Sequence, residues 1–177
     1  DIKQEWLGLQ ERANCSYFQS WGWIGKWLEQ IATGLQPIVI KVWSGKDLIG
    51  IGLFVSKDIK RHQIIFSKAM FLNEYPFSGK NMVIEYNGLL AEKGLEEVVY
   101  IKAIEHLSNS YSQVDEFCFG AITKEHSLRT LKKNTIDNLN FIVNEQSISR
   151  EVDLEEVTAV QYDCLTKLGK YRREQIE

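Results

Sequence analysis

A chain of 177 residues with a net charge of −3 and 25% charged residues advertises no basic face, which argues against a nucleic-acid partner. Hydrophobic residues make up 44%, enough for one sizeable core, and no apolar run reaches the roughly 18 residues a membrane span needs. Three cysteines, Cys15, Cys118 and Cys164, odd in number and far apart, fit buried thiols in a reducing compartment better than a disulfide frame, so a cytoplasmic protein is expected. His62, His106 and His126 stand singly, and no metal site is expected.

Ile2, Trp6, Leu9 and Ala13 follow helical spacing and predict an amphipathic first helix. Ser20 is placed to cap a second helix, with Trp23, Ile24, Trp27, Leu28 and Ile31 as its apolar stripe. Gly34 suits the C′ position, and Pro37 lies just beyond. Trp6, Trp21, Trp23 and Trp27 fall in the first sixth of the chain. Helical spacing explains most of them as core; an aromatic wall for a ligand is the other use of such rings.

Pro37 to Lys57 reads as a hairpin. Ile38, Ile40 and Val42 alternate with Val39, Lys41 and Trp43, and Ser44-Gly45-Lys46-Asp47 forms the turn. The second arm, Leu48 to Val55, is apolar on both faces and predicts a central strand covered on both sides. Gly50 and Gly52 lie two apart and leave one face bare. That strip is expected to seat a helix, the tryptophan-rich one being the candidate.

A third strand is predicted over Arg61 to Leu72, a loop over Asn73 to Asn81, and a short strand over Met82 to Gly88. Leu95 to Leu107 has the broad apolar face of a helix. Val114 to Ile122 reads as a strand, Lys124 to Thr135 as a short surface helix, Leu139 to Ser149 as a late strand, and Asp153 to Leu168 as a closing helix. The expected class is α/β (α+β), a mixed, mostly antiparallel sheet flanked by helices. Residues 1–168 form the expected domain, and 169–177 open a linker or second domain. The start without Met and the stop inside a charged run suggest a piece of a longer protein.

Glu85, Tyr86, Asn87 and Gly88 are the site candidates, at a strand end where sheet proteins place ligands. A Glu can remove a proton from an amine or hydroxyl, and a Tyr can return one to a leaving thiolate. The rival explanation is structural: Asn87-Gly88 as a turn, Tyr86 half-buried, Glu85 solvated. Trp21, Trp23 and Tyr75 could line an acceptor groove by stacking, or simply pack in the core. Cys118 has no partner His and reads as an inert thiol.

The order of elements resembles the acyl-CoA N-acyltransferase (GNAT-like) fold, in which two helices precede a strand meander and a crossover helix follows the fourth strand. Trp6-Leu7 with Phe18-Gln19-Ser20-Trp21, the arm Leu48-Ile49-Gly50-Ile51-Gly52-Leu53, the stretch Ile84-Glu85-Tyr86-Asn87-Gly88-Leu89-Leu90 and the end Leu168 to Ile176 are similar to the CelD/BcsL-type acetyltransferases linked to cellulose biosynthesis in bacteria. Those proteins, like the FemABX aminoacyltransferases, have two GNAT-like halves, with the donor chemistry usually in the second. The resemblance implies that this chain is the first half, with a C-terminal GNAT-like domain as partner. It implies acyl-CoA (acetyl-CoA) as donor in the full-length protein and an amine or hydroxyl, possibly of a polysaccharide precursor, as acceptor. Glu85 and Tyr86 would be catalytic; Asn87, Gly88, Trp21 and Tyr75 would bind substrate. Coenzyme A pyrophosphate is normally held by a glycine-rich turn before the crossover helix. Here only Gly88 and Gly94 precede it, with Glu85 and Glu92 nearby. A non-catalytic acceptor-binding or bracing module, and a FemABX-like transferase, stand as alternatives.

Overall fold

The computed structural model describes residues 1–30, 36–61, 64–74, 84–122 and 139–144. The chain divides into two compact units, Asp1–Val143 and Asn144–Glu177; of the second, only Asn144 is described. The expected helices over 124–135 and 153–168, the cap at Gly34, and His62, His126, Tyr75 and Cys164 lie outside the described residues.

The first unit is a mixed α+β structure around a mostly antiparallel five-stranded sheet. Helix α1 (Ile2–Gln10) is capped by Asp1, whose carboxylate accepts from the Lys3 amide. A single 3-10 turn at Tyr17–Gln19 leads into α2 (Trp21–Gln30). The carbonyl of Ser20 accepts from Ile24 N at 2.9 Å, so Ser20 stands at the head of α2. Its hydroxyl does not cap the helix but donates to Tyr17 O at 2.6 Å.

Strands β1 (Ile38–Ser44) and β2 (Asp47–Arg61) form the expected hairpin, closed by a Ser44↔Asp47 pair. Gly45 takes φ +60, a conformation that costs glycine little. Strand β2 is central. It pairs with β1 on one edge and, on the other, with β4 (Leu90–Ala91) at Gly50–Ile51 and β3 (Ile65–Leu72) from Phe54 onward. Helix α3 (Glu96–Ser110) then crosses to β5 (Glu116–Cys118), which runs parallel to β3.

Both faces of β2 are covered along Leu48–Val55, as that unbroken apolar run requires. Ile49 and Phe54 share one cluster with Val99, Tyr100, Ala103, Ile104 and Leu107 of α3. Leu48, Ile51, Leu53 and Val55 share another with Trp6, Leu9, Ile24 and Trp27 of α1 and α2. A register shift opposite Val42/Trp43 leaves Ile49 unpaired with β1. This bulge puts Ile49 and Gly50 on the same side and Leu48 on the other.

One glycine of the strip, Gly50, does seat a helix, but it is α3, not the tryptophan-rich α2; Gly52 is covered by Leu89 and Leu72 instead. A Cβ on Gly50 would overlap Val99 Cγ1 and stand 2.8 Å from its Cγ2. A Cβ on Gly52 would run into the Leu89 side chain, with Leu72 Cδ1 at 3.1 Å. The stripe on α2 faces the opposite side of the sheet, because the bulge and the strand alternation send Leu48, Ile51 and Leu53 there.

Two expected strands differ. Residues 84–89 are not a ladder strand; the pairing with β2 begins at Leu90. A turn at Glu85–Tyr86 and an isolated bridge from Asn87 to Ile122 precede it. Leu139–Asn144, taken as the start of a late strand, is irregular. Leu139 and Phe141 still pack on the α3 side of the core, so their apolar pattern reports burial rather than strand pairing.

Candidate functional site

Strand β3 is followed by Asn73, a buried residue in the left-handed region at φ 50. Its amide donates to Leu53 O at 2.7 Å, and its side-chain Oδ1 accepts from Leu53 N at 3.2 Å. One asparagine thus closes the ladder from both its main chain and its side chain. Its Nδ2 then donates to Asn87 Oδ1 at 2.9 Å and Gly88 O at 3.0 Å.

Asn87 completes the clasp. Its Nδ2 donates to Leu72 O at 2.8 Å, its Oδ1 also accepts from Gly88 N at 2.8 Å, and its backbone N donates to Ala121 O at 3.0 Å. It bridges to Ile122 in the parallel sense. Three non-glycine residues with positive φ meet here: Asn73, Tyr86 and Ala121. Such backbone strain persists only where surrounding structure fixes it, and it concentrates at functional sites.

The clasp is tied to the N-terminal region. Ser16 and Gln19 form a capping box, and the Ser16 hydroxyl donates to Tyr86 O at 3.0 Å. The Gln19 carbonyl accepts from Trp6 Nε1 at 2.8 Å. Tyr100 Oη accepts from Leu89 N at 3.0 Å, and burial pushes its phenol well above the ordinary range, so it stays neutral. A Cβ on Gly88 would stand 2.7 Å from Tyr100 Oη and 3.0 Å from Gln19 Nε2, so only glycine fits there without displacement.

Of the expected site residues, Glu85 to Gly88 come together as one turn. Asn87 and Gly88 are buried inside the clasp, and the amide of Asn87 is spent on protein partners. Glu85 is exposed and Tyr86 half-buried. Trp21 is half-buried against Trp6, ring centroids 6.3 Å apart, in the cluster under α1 and α2. Trp23 packs edge-on against Phe18 at 4.9 Å, its indole N–H buried with no hydrogen-bond partner among the described residues. Tyr75 lies outside the described residues.

Sequence reasoning missed Asn73 and Glu74. Glu74 follows the clasp, and a Cβ on Gly120 would meet its Oε1 at 2.7 Å. Desolvation raises the pKa of its carboxyl. Asn73 carried a readable signal, since Asn tolerates the left-handed conformation that stops a strand. Glu74 carried none, because its burial depends on Gly120, 46 positions away in sequence.

The start of α3 makes a poor seat for phosphate. Leu95 supplies no side-chain cap, and Glu96 and Glu97 occupy the first turn. These carboxylates themselves satisfy the helix dipole, and an anionic ligand would face both. A shallow notch of about 410 Å³ lies beside it, lined by Arg12, Ser44, Asp47, Ile49, Glu92 and Leu95. Its Arg12 is already engaged by Glu92, Gly8 O and Leu48 O. No group of three or more metal-ligating side chains occurs among the described residues. The chain matches no protein-family model, no curated protein and no solved structure.

Proposed function

We propose that the chain is the N-terminal, GNAT-like half of a cytoplasmic acyltransferase that moves an acyl group from acyl-CoA to an amine or hydroxyl, such as one on a polysaccharide precursor. The observation that carries the reading is the path of the chain: two helices, three antiparallel strands, β4, the crossover helix α3, and β5 returning parallel to β3. The IEYNGLL stretch sits at the turn between these parts. In a transfer at this turn, Glu85 takes the proton from the acceptor as its nitrogen or oxygen attacks the thioester carbonyl. Tyr86 gives its hydroxyl proton to the departing CoA thiolate.

A second reading has its own support. The clasp consumes Asn87 and Gly88, and α3 opens on two acids rather than a glycine-rich turn. Both favour a half that holds the acceptor or braces a donor-binding C-terminal domain. A FemABX-like reaction with aminoacyl-tRNA has less support, given the net charge of −3. Calorimetric titration of acetyl-CoA separates the first two readings. Saturable heat with the 177-residue chain, reduced by Glu85→Gln or Tyr86→Phe, supports chemistry at this turn. Binding only by a chain that continues into a second domain supports the bracing role. Absence of binding in both rules out the acyl-CoA assignment.

A further inference from the structure

The half-buried carboxylates among the described residues are Glu5, Glu74, Glu92, Glu96, Glu105 and Glu116. All but Glu74 have a partner. Glu5 meets Lys41 at 2.6 Å, Glu92 meets Arg12 at 3.2 Å, and Glu105 meets Lys102 at 2.9 Å. Glu96 accepts from Asn14 Nδ2 at 3.4 Å, and Glu116 is engaged as well. Glu74 has neither a hydrogen bond nor an ion pair among the described residues, and desolvation alone shifts its carboxyl. A carboxylate drawn out of water without a counter-charge costs stability. Folds keep such groups where function uses them.

The place of this carboxylate is fixed by the clasp. Glu74 follows Asn73, which is bound to Leu53, Asn87 and Gly88. Gly120 precedes Ala121, whose carbonyl accepts from Asn87 N. A Cβ on Gly120 would meet Glu74 Oε1 at 2.7 Å, Oε2 at 3.0 Å and Cδ at 3.1 Å. Gly120 does not take a positive φ, so its backbone does not call for glycine. The room for the Glu74 carboxylate does.

We propose that Glu74, seated over Gly120, binds an alkylammonium group, its carboxylate oxygen accepting from the ammonium N–H groups. A metal ion would need more ligands than one carboxylate, and no group of three or more metal-ligating side chains occurs among the described residues. Both oxygens lie nearer to the Gly120 Cβ position than Cδ does, so the edge between them faces the Gly120 main chain. That edge is the one a two-pronged guanidinium uses. An ammonium is a compact point charge and needs only an outer lone pair of one oxygen. A free alkylamine and a lysine side chain carry this same group. The site rests on no acyl-CoA chemistry.

Titration of the 177-residue chain with n-butylamine, followed by NMR at the Glu74 and Gly120 amides, tests it. The expected result is saturable shifts that n-butanol, with the same stem and no charge, does not produce. Glu74→Gln should weaken binding by on the order of 10- to 100-fold, the range of a hydrogen bond to a charged group. Glu11→Gln removes an exposed acid elsewhere and should leave binding unchanged. N-acetyl-lysine amide separates the sources: binding at least as tight as butylamine assigns a lysine side chain, weaker binding a free amine, and either supports the site. Failure of butylamine to bind overturns the proposal, as do equal shifts from butanol or undiminished binding by the glutamine variant. A fall in the thermal midpoint of Glu74→Gln at neutral pH without amine also overturns it, because the chain itself would then supply the counter-charge.

Discussion

Leu48–Val55 and Ser56–Arg61 are consecutive parts of one strand in opposite surroundings. The first is buried on both faces, between α3 and the tryptophan-bearing helices. The second has strand β3 beside it and Ile64, Ile65 and Phe66 exposed around its end. The pairing differs as well: the first part pairs with β1 and β4 and reaches β3 only at Phe54 and Val55, whereas the second pairs with β3. Burial therefore sets where substitutions cost stability.

Breaking the body should show this most strongly. Ile51 is almost fully buried. Ile51→Ser removes its side chain from the core and leaves a hydroxyl there, and should cost about 3–5 kcal/mol in denaturant unfolding. A cost below about 1 kcal/mol would show that the two halves of β2 are energetically alike.

The clasp sits where β3 leaves the body, and its strength is polar rather than apolar. Asn87→Ala leaves Leu72 O and Gly88 N without their partner and removes one acceptor from Asn73 Nδ2. Each orphaned buried group costs about 1–3 kcal/mol, so the total should fall near 2–4 kcal/mol. Amide exchange should then speed at Gly88 and Asn73 ahead of the strand pair β1–β2. Uniform acceleration across the sheet would mean that the clasp has no local role.

The hairpin, the both-faced burial of β2, the helices α1 to α3 and the mixed sheet were legible in the sequence because each rests on local periodicity or a turn residue. Gly45 and the Leu48–Val55 run are examples. The partner of the Gly50–Gly52 strip was not legible, since it depends on which face the bulge at Ile49 selects, and a bulge leaves no fixed sequence mark. The candidate turn was found by position, but the buried commitments of Asn87 and Gly88 were not. They arise from Asn73, Gln19 and Tyr100, each more than 10 residues away in sequence. The Leu139–Asn144 segment misled for a related reason: partial burial of Leu139 and Phe141 against the core mimics strand alternation.

Glu74 gives a smaller effect with a definite sign. Desolvation beside Gly120 raises its folded pKa above the ordinary 4.5. Its favourable contribution is full below pH 4.5 and is lost as pH rises through the folded value. Glu74→Gln should therefore raise the thermal midpoint at neutral pH, with the gain shrinking as pH falls toward 4.5. Water still reaches part of the carboxyl and keeps the gain small. A gain independent of pH would assign the effect to packing instead.

The smallest effect belongs to the exposed tip of the β2–β3 pair and completes the contrast with Ile51. Ile64 is 82% exposed, so Ile64→Ser removes a side chain that water already surrounds. It deletes no core contact and opens no cavity, and surface changes of this kind stay within about ±0.5 kcal/mol. The same chemical change, isoleucine to serine, thus tests the body and the tip with one measurement. If Ile64→Ser cost more than about 1 kcal/mol, the tip would have to be folded back onto the protein in solution, and its apolar residues would be satisfied from within. A near-zero cost shows that water, rather than protein, surrounds the Ile64 side chain.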